Sequence, residues 1–363
     1  MKLSINQSEL MNALTIVSKG ISQRSTMPIL SGVYLESRGD EINFQTTDLE
    51  MSVQYTCTAL IDEPGRAVLP GKLFIDIVKN LPDAAVHIET LDDGTVITCE
   101  SSSFSIRTLN AADFPGFPQV LPEQQITIPF DMFSSMARKV SRVVSKDESR
   151  MILTGVLISV EEDVLKLVAT DSYRLAVTEY LLEQSSENFN AVLAGSFISD
   201  LSSLPKTGDD ISFALAENQI VVTYAGTVFV NRRIEGKYPN YKQLIPSSFI
   251  TRCVVGRNAF SSAVKRASLL DSSGSQVKLS VNTSTQTIQL TTTQEVGTTQ
   301  EMIRAQIEGE DVEIGFNSFY VNDGLSAMDS SEVVLELQGS LKPGIIKGLG
   351  DEKYLYLVMP VRI

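Results

Sequence analysis

The stretch VATDSYRLAV (168–177) carries the most suggestive cluster of polar side chains in this chain. An aspartate between hydroxyl groups and an arginine suits a catalytic site, and it suits a turn between two strands equally well. The stretch has a partner, because TTDLEMSV (46–53) places Thr-Asp in the same setting 123 residues earlier. A duplicated Thr-Asp favours a structural turn over catalysis, and Tyr173 and Arg174 are what the second copy adds.

Further segments recur in nearly the same register, so the chain is built from repeats. The matching pairs are PILSGVYL (28–35) with MILTGVLI (151–158), AVLPGKLFIDIVKNLP (67–82) with AVLAGSFISDLSSLP (191–205), and FPGFPQV (114–120) with YPNYKQL (238–244). A fainter third copy starts with FSSAVKRAS (260–268), which parallels FSSMARKVS (133–141), and it lacks about five residues after Leu270. A period this long indicates three related domains rather than a solenoid of short units.

Each copy has the pattern of a helix, short alternating strands, a second helix and more strands. Apolar side chains at helical spacing mark the inward faces, as at Met132, Met136 and Val140, or at Leu73 and Phe74. We therefore predict an α+β fold in which every domain packs two helices on antiparallel sheets. Proline-rich joins place the three domains at residues 1–121, 122–248 and 249–363.

The composition is that of a globular chain of 363 residues, with 43% hydrophobic and 20% charged residues. It contains no apolar run long enough for a transmembrane helix, and its first residues lack the core of a signal peptide. Cys57, Cys99 and Cys253 lie far apart and form no metal or redox spacing. A cytoplasmic protein with free thiols is expected.

Charge is distributed unevenly along the chain. The net charge is −14, yet the six predicted helices together carry +3, which leaves −17 for the remainder. Two interpretations stay open from charge alone. The basic helix faces are either ordinary solvated surfaces or a surface for phosphates, and in the second case contact is independent of sequence because no element looks like a reader of bases.

The sequence offers little for catalysis. Its single histidine, His87, lies in an alternating strand without a paired nucleophile, and no glycine-rich phosphate loop is visible. Glu161 and Glu162 are typical of a hairpin tip. A metal-dependent phosphohydrolase using these acids with Asp48 and Asp171 remains a rival hypothesis, as does a scaffold that binds peptides but not DNA. No cofactor is expected.

Six segments then give the chain a specific resemblance along its whole length: PILSGV, TTDLEM, ADFPGF, TDSYRLAV, EIGFN and the closing LVMPVRI. The chain resembles the bacterial DNA polymerase III β subunits, the sliding clamps, whose C-termini read Met-Pro-x-Arg-Leu or a close variant. The resemblance implies a head-to-tail ring homodimer that encircles double-stranded DNA, slides without sequence specificity and performs no chemistry. Helices would line the hole and strands would form the outside, so the basic side chains of the helices would face the DNA.

The resemblance also implies partners and a site. The ring would tether the replicative DNA polymerase, the clamp loader, repair polymerases and mismatch-repair proteins through short linear motifs. No binding to a membrane is expected. Carried over by position, the peptide-binding pocket comprises Leu153, Thr170, Ser172, Tyr173, Arg174, Leu175, Pro239, Leu244, Val358 and Met359, with Leu357, Pro360, Val361 and Arg362 at its rim and Asn317, Tyr320 and Leu341 in a neighbouring groove.

Two departures bear on partner preference, because the family often has histidine at Tyr173 and arginine at Gln243. The DNA-binding residues that the resemblance implies are Arg24, Lys72, Lys79 and Arg150, and the basic face of a predicted helix adds Arg138 and Arg142. The implied dimer interface joins an edge strand with Phe104 and Ile106 to Leu269 and Leu270. From Pro360 onward, the tail is expected to gain little from sheet pairing, because proline cannot donate to a ladder.

Overall fold

A computed structural model describes residues 1–22, 26–91, 94–183, 188–270 and 276–362. The chain divides into two compact units. The first comprises Met1–Met132 and Leu204–Arg233, and the second comprises Phe133–Ser203 and Ile234–Ile363.

All six predicted helices form. They are α1 (Gln7–Val17), α2 (Gly71–Lys79), α3 (Phe130–Val140), α4 (Gly195–Ser202), α5 (Arg257–Ala267) and α6 (Ser318–Ser326). Asn6 caps α1 by accepting a bond from the Ser8 amide, and Asn317 caps α6 in the same manner from the Tyr320 amide. Within the described residues, none of these helices has the length and apolar character to cross a membrane.

The first unit contains two antiparallel sheets. One sheet has the strand order β5-β1-β7-β8-β9. Its strands are β1 (Lys2–Asn6), β5 (Leu60–Glu63), β7 (Ala85–Leu91), β8 (Gly94–Cys99) and β9 (Ser102–Ile106). Sheet order β10-β15-β16-β17-β4-β3-β2-β6 uses β2 (Gly32–Arg38), β3 (Glu41–Thr47), β4 (Met51–Thr58), β6 (Gly65–Pro70), β10 (Gln124–Pro129), β15 (Asp210–Leu215), β16 (Gln219–Tyr224) and β17 (Thr227–Arg232). Helices α1 and α2 pack against each other in this unit.

The second unit also contains two antiparallel sheets. Sheet order β14-β11-β12-β13-β26-β25-β24-β18-β22 uses β11 (Gly155–Glu161), β12 (Val164–Thr170), β13 (Arg174–Leu181), β14 (Phe189–Ala194), β18 (Thr251–Gly256), β22 (Gln306–Gly309), β24 (Glu332–Leu337), β25 (Gly344–Gly348) and β26 (Tyr354–Val358). Sheet order β21-β20-β19-β23 uses β19 (Val277–Asn282), β20 (Thr287–Gln294), β21 (Gly297–Arg304) and β23 (Val312–Phe316).

The order of elements confirms the threefold repetition and the α+β class. Each third of the chain runs strand, helix, strands, helix and three further strands, with every ladder antiparallel. The two larger sheets each draw strands from two neighbouring repeats: β4 pairs with β17, and β13 pairs with β26. The three-domain division at residues 1–121, 122–248 and 249–363 stays a prediction.

Two helix faces differ from their predicted orientation. Met132 is 37% exposed, because Phe133 takes the core position on α3. Leu73 is 47% exposed on α2, whose buried side chains are Phe74, Ile77 and Val78. In both helices two apolar residues stand side by side, and adjacent positions differ by about 100° around the axis, so only one can face the core.

Candidate binding site

Residues 170–174 form a tight turn between β12 and β13. The Oδ1 atom of Asp171 accepts hydrogen bonds from the backbone amides of Tyr173 (2.9 Å) and Arg174 (3.0 Å). The Thr170 hydroxyl donates to the carbonyl of Arg174 at 2.7 Å, and Ser172 has a φ of 78°. Asp171 therefore holds the turn closed as an aspartate acceptor does in many turns.

The corresponding turn in the first unit has the same construction. The Oδ1 atom of Asp48 accepts from the amides of Glu50 (3.0 Å) and Met51 (2.7 Å), and Leu49 has a φ of 77°. The Thr47 hydroxyl donates to the carbonyl of Met51 at 2.9 Å. The prediction of a duplicated structural turn is confirmed, since the Oδ1 atom of each aspartate accepts hydrogen bonds from two backbone amides of its own turn.

The other acids of the phosphohydrolase hypothesis also lie in a turn. Glu162 and Asp163 have φ values of 51° and 63° at the tip of the β11–β12 hairpin. Glu161 accepts a bond from the Lys242 amine at 2.7 Å, and this bond lowers the pKa of the carboxyl group. Among the described residues, no three His, Cys, Asp or Glu side chains are grouped so that they could hold a metal ion.

Beyond the turn, β13 pairs with the last strand, β26, and this register decides which side chains face outward. Leu175 lies opposite Leu357, and Arg174 lies opposite Val358. Directly opposed residues share a sheet face and successive residues alternate. Leu357 therefore shares the face of Leu175, whereas Val358 is fully buried on the face of Arg174. Leu357, predicted at the rim of the pocket, thus joins the apolar cluster, whereas Val358 lies on the other face, and the pocket roles of both residues stay predictions.

The outward face carries a continuous apolar cluster. Its buried members are Leu157, Val168, Leu175, Val177, Val192, Tyr241 and Leu357, and the partly buried side chains packed on them are Ile152, Ile234, Tyr238, Ile245, Leu355 and Met359. The segment from Ile234 to Ile245 crosses this cluster, and Pro239 and Leu244 are exposed along it. We call this cluster with its covering residues the tail patch. Leu153, in contrast, is buried at 6% exposure and is not a member of the cluster.

On the opposite face, Arg174 is only 8% exposed and is surrounded by acceptors. Its guanidinium donates to the carboxylates of Asp171 (3.0 Å) and Asp323 (2.5 Å), to the carbonyl of Arg142 (3.0 Å) and to the Tyr356 hydroxyl (3.4 Å). Burial disfavours the charge, but Tyr356 and the two carboxylates outweigh it and keep the pKa of Arg174 raised. A buried arginine needs such partners, so this residue is a structural tie as well as a predicted pocket residue.

Two tyrosines extend from this tie to the surface. The Arg174 guanidinium lies 4.5 Å from the ring centre of Tyr320, and that ring stacks against Tyr173 at 6.4 Å between centres. Tyr173 is 58% exposed, whereas burial raises the pKa of Tyr320. The structure therefore brings Tyr173, Arg174, Tyr320 and its cap Asn317 together. Leu341 is 76% exposed, and its part in the site stays a prediction.

The tail after Pro360 is bonded to the body of the second unit, which corrects the expectation that it gains little from pairing. Strand β26 ends at Val358, as predicted. The Met359 amide then donates to the carbonyl of Tyr173 at 2.8 Å, and the Val361 amide donates to that of Gly315 at 2.9 Å. Proline lacks a donor itself but leaves both neighbouring amides free to pair. The tail thus runs between the turn and the strand that leads into α6.

The predicted basic residues occupy different settings. Lys72, Lys79, Arg138 and Arg142 are exposed, and their side chains form no ion pair with the described residues. Arg150 instead donates to Asp147 (3.0 Å) and to the Ser172 hydroxyl (3.0 Å), which places it beside the turn. Ser149 and Arg150 together lower the pKa of Asp147. Arg24 lies outside the described residues.

Several residues of the site were not predicted. Asp323 and Tyr356 complete the surroundings of Arg174, and Ile152, Tyr238 and Tyr241 form much of the tail patch. Asp323 follows Asn317 by six residues on α6 and carried no signal of its own. The aromatic pair of YPNY was a signal, because two large apolar rings in an otherwise polar connection favour packing on a sheet face.

Three repeats of one helix-and-sheet unit, joined by shared sheets within each compact unit, define a clamp-type architecture. Models of the DNA polymerase III beta subunit match the chain in sequence: the N-terminal domain over residues 1–118, the central domain over 127–240 and the C-terminal domain over 242–362. The beta sliding clamp of Staphylococcus epidermidis is 33% identical over 374 residues, covering 100% of this chain and 99% of that protein.

Solved structures give the same result. The DNA polymerase sliding clamp of Bacillus subtilis superposes with a TM-score of 0.94 at 32% identity, and the DNA polymerase III beta subunit of Thermotoga maritima with 0.94 at 29%. Each match covers 100% of this chain and 99% of the other. The chain belongs to the DNA polymerase III beta subunit family. It is accordingly a sliding clamp of DNA replication, a processivity factor and not an enzyme.

The Arg174 tie generates a prediction about stability. Replacing Asp323 by asparagine removes one of two carboxylates from a buried guanidinium, so we expect the free energy of unfolding to fall by about 1–3 kcal/mol. Urea denaturation measures the change. Glu179→Gln is the control, since it breaks the more exposed pair with Lys166 in the same sheet and should cost under about 1 kcal/mol. Equal losses in the two variants would contradict the structural role of the tie.

Proposed function

We propose that two copies of this chain join head to tail into a ring that encircles duplex DNA and slides on it without reading sequence. The observation that carries the proposal is family membership, which extends over three consecutive domains and the full length. The ring would keep the replicative polymerase at the primer end by raising its local concentration. Divisions at residues 1–121, 122–248 and 249–363 would give six similar domains per ring.

Support for the DNA-facing side comes from the basic residues that remain unneutralised. Lys72 and Lys79 on α2, Arg138 on α3 and Arg142 just after α3 are exposed and unpaired within the described residues. The neighbouring Lys139 is instead held by Asp329 and Asp351, and Arg266 is held by Glu301. Exposed lone cations can neutralise phosphates, whereas paired ones contribute less. Arg24 and Arg150 stay predictions as DNA contacts.

Support for dimerisation comes from an edge strand and from exposed apolar residues. Strand β9 is an edge strand, and Phe104 on it is 38% exposed. Leu269, after α5, is 79% exposed, and Leu270 beside it is partly exposed. An exposed edge with apolar neighbours is suited to pairing with a second chain. Ile106, by contrast, is buried at 9% exposure, so we expect it to support the strand more than to contact a partner.

The tail patch is the proposed site for short linear motifs. It offers a wide apolar cluster with Met359 packed on it and with the exposed Leu244 in the segment that crosses it. An apolar surface with a few polar groups at its margin gives both affinity and orientation. The partners implied are the replicative polymerase, the clamp loader, repair polymerases and mismatch-repair proteins, and the expected location is the cytoplasm.

The central test is topological. We expect the protein, once placed on nicked circular duplex by a cognate clamp loader, to stay bound through gel filtration at high salt and to be lost when the circle is linearised. Binding to linear duplex should be weak and indifferent to sequence, with a log–log salt slope of a few units. Loss from the circle at high salt would instead favour a peptide-binding scaffold that does not encircle DNA.

The dimer prediction uses the exposed leucines. Leu269→Lys combined with Leu270→Lys should convert the dimer to monomers, because burying two unpaired ammonium groups costs several kcal/mol. Light scattering at micromolar concentration gives the mass. Leu181→Lys, at another exposed position of the second unit, is the control and should leave the dimer intact. A dimer that persists in the double variant would show that the assigned interface is wrong.

The tail prediction uses side chains, since deleting the tail would also remove two backbone hydrogen bonds. Met359→Ala and Leu244→Ala should each weaken binding of a peptide with leucine and phenylalanine anchors by about tenfold or more. Each substitution removes apolar contact area, and the lost burial should cost about 1.5 kcal/mol or more of binding free energy. Fluorescence titration measures the affinity. Leu349→Ala, at an exposed leucine outside the tail patch, should change nothing. Equal affinity in all variants would refute the site.

A further inference from the structure

The first unit repeats the backbone of the tail patch. Strand β17 pairs with β4 so that Asn231 lies opposite Met51, and β26 pairs with β13 so that Val358 lies opposite Arg174. Met51 and Arg174 are equivalent at the offset of 123. At the end of each final strand an amide bonds back to the turn: Arg232, the last residue of β17, donates to the carbonyl of Glu50 at 3.1 Å, and Met359, just after β26, donates to that of Tyr173.

The covering segment and the neighbouring side chains are also duplicated. The Leu109 amide donates to the carbonyl of Val68 at 2.8 Å, and the Ile234 amide donates to the equivalent Val192 at 2.8 Å. These bonds anchor the segments that carry FPGFPQV and YPNYKQL. Asn43 and Thr56 lie opposite each other on β3 and β4, and the Asn43 side chain donates to the Thr56 hydroxyl at 2.8 Å. The equivalent cross-strand pair in the second unit, Lys166 and Glu179, forms an ion pair at 2.8 Å. The two surfaces therefore share their strand register, their turn and the anchor of their covering segment.

Their floors differ in chemistry. The positions of Val168, Leu175 and Val177 in the tail patch are occupied in the first unit by Gln45, Ser52 and Gln54. Gln45 and Gln54 lie directly opposite each other, and Gln45 donates to the Asn43 side chain at 2.7 Å. Covering these amides with an apolar side chain would remove water without supplying new acceptors and donors, which disfavours binding.

The margin of the surface differs as well. Glu50 and Arg232 stand where the second unit has Tyr173 and Met359, and they form an exposed ion pair at 3.5 Å. Tyr34 occupies the position of Leu157 and stacks on Phe114 at 5.2 Å between ring centres. The aromatic cover is thus retained, whereas the floor beneath it is polar.

We propose that the first unit carries a latent copy of the tail patch, and that Gln45, Ser52 and Gln54 confine the binding of short apolar segments to one site per chain. The ligand class is a peptide with leucine or phenylalanine anchors. The inference rests on the proposed function of the tail patch. It adds that the polar floor, and not a different backbone, is the reason the first unit does not bind the same motif.

The experiment restores the apolar floor. The variant Gln45→Val, Ser52→Leu, Gln54→Val should bind two equivalents of a synthetic acetylated peptide with leucine and phenylalanine anchors, where the unmodified chain binds one. Calorimetric titration gives the stoichiometry. We expect the variant to fold, since valine and leucine suit strand positions, and thermal melting checks this. If it unfolds, the pair Gln45→Val, Gln54→Val serves instead and should show the same gain at lower affinity.

Further variants locate the new site. A second variant combines the floor substitutions with Leu244→Ala and Met359→Ala, which weaken the native site. We expect it to bind the peptide at least tenfold more tightly than the protein that carries Leu244→Ala and Met359→Ala alone. Phe117→Ala, which removes the equivalent of Tyr241, should cancel that gain. The matched control is Ser280→Leu, Gln289→Val, a directly opposed serine and glutamine pair on another sheet, and it should bind one peptide.

The outcomes separate the two proposals. If the unmodified chain binds no peptide, the proposed function of the tail patch fails. If the unmodified chain binds one peptide and the folded floor variant also binds one, the confinement inference is overturned while the tail patch stands. If the Ser280 and Gln289 control gains a second peptide too, the gain reflects general surface hydrophobicity and the inference is equally overturned.

Discussion

The pairing of β13 with β26 is the constraint on which the site depends. It sets Leu175 against Leu357 on one face and Arg174 against Val358 on the other. Because side chains alternate along a strand, a slip of one residue would place a guanidinium on the apolar floor and a leucine beside two carboxylates. The register is therefore fixed by both faces at once, and it connects the chain's last strand to a turn nearly two hundred residues earlier in the sequence.

Arg174 stabilises the pairing register of β13 and β26, because a shift of the register would separate its buried guanidinium from its acceptors. Its guanidinium is desolvated, so it needs acceptors, and these come from the turn (Asp171), from α6 (Asp323) and from the short turn just after α3 (the Arg142 carbonyl). The same guanidinium lies over the ring of Tyr320, which stacks on the exposed Tyr173. One buried charge thus orders both the interior behind the sheet and the aromatic side chains at the surface.

Much of this could be predicted from sequence, for identifiable physical reasons. Periodicity predicted six helices, and a duplicated Thr-Asp predicted a turn, because both are local patterns. The faces of Leu357 and Val358 could not be predicted, since YLYLV is apolar at every position and shows no alternation. The bonds of Met359 and Val361 were missed because their acceptors, Tyr173 and Gly315, are remote in sequence. Asp323 was missed for the same reason.

The repeats show how duplication separates geometry from chemistry. The backbone bonds that build the turn, the amide that bonds back to it and the anchor of the covering segment recur in both units, so the two surfaces share a backbone shape. What differs is side chains at equivalent strand positions, where Val168 and Val177 correspond to Gln45 and Gln54. Such changes leave the ladder intact, because strand hydrogen bonds involve the backbone alone. Binding can therefore be concentrated in one repeat while all three keep a common fold.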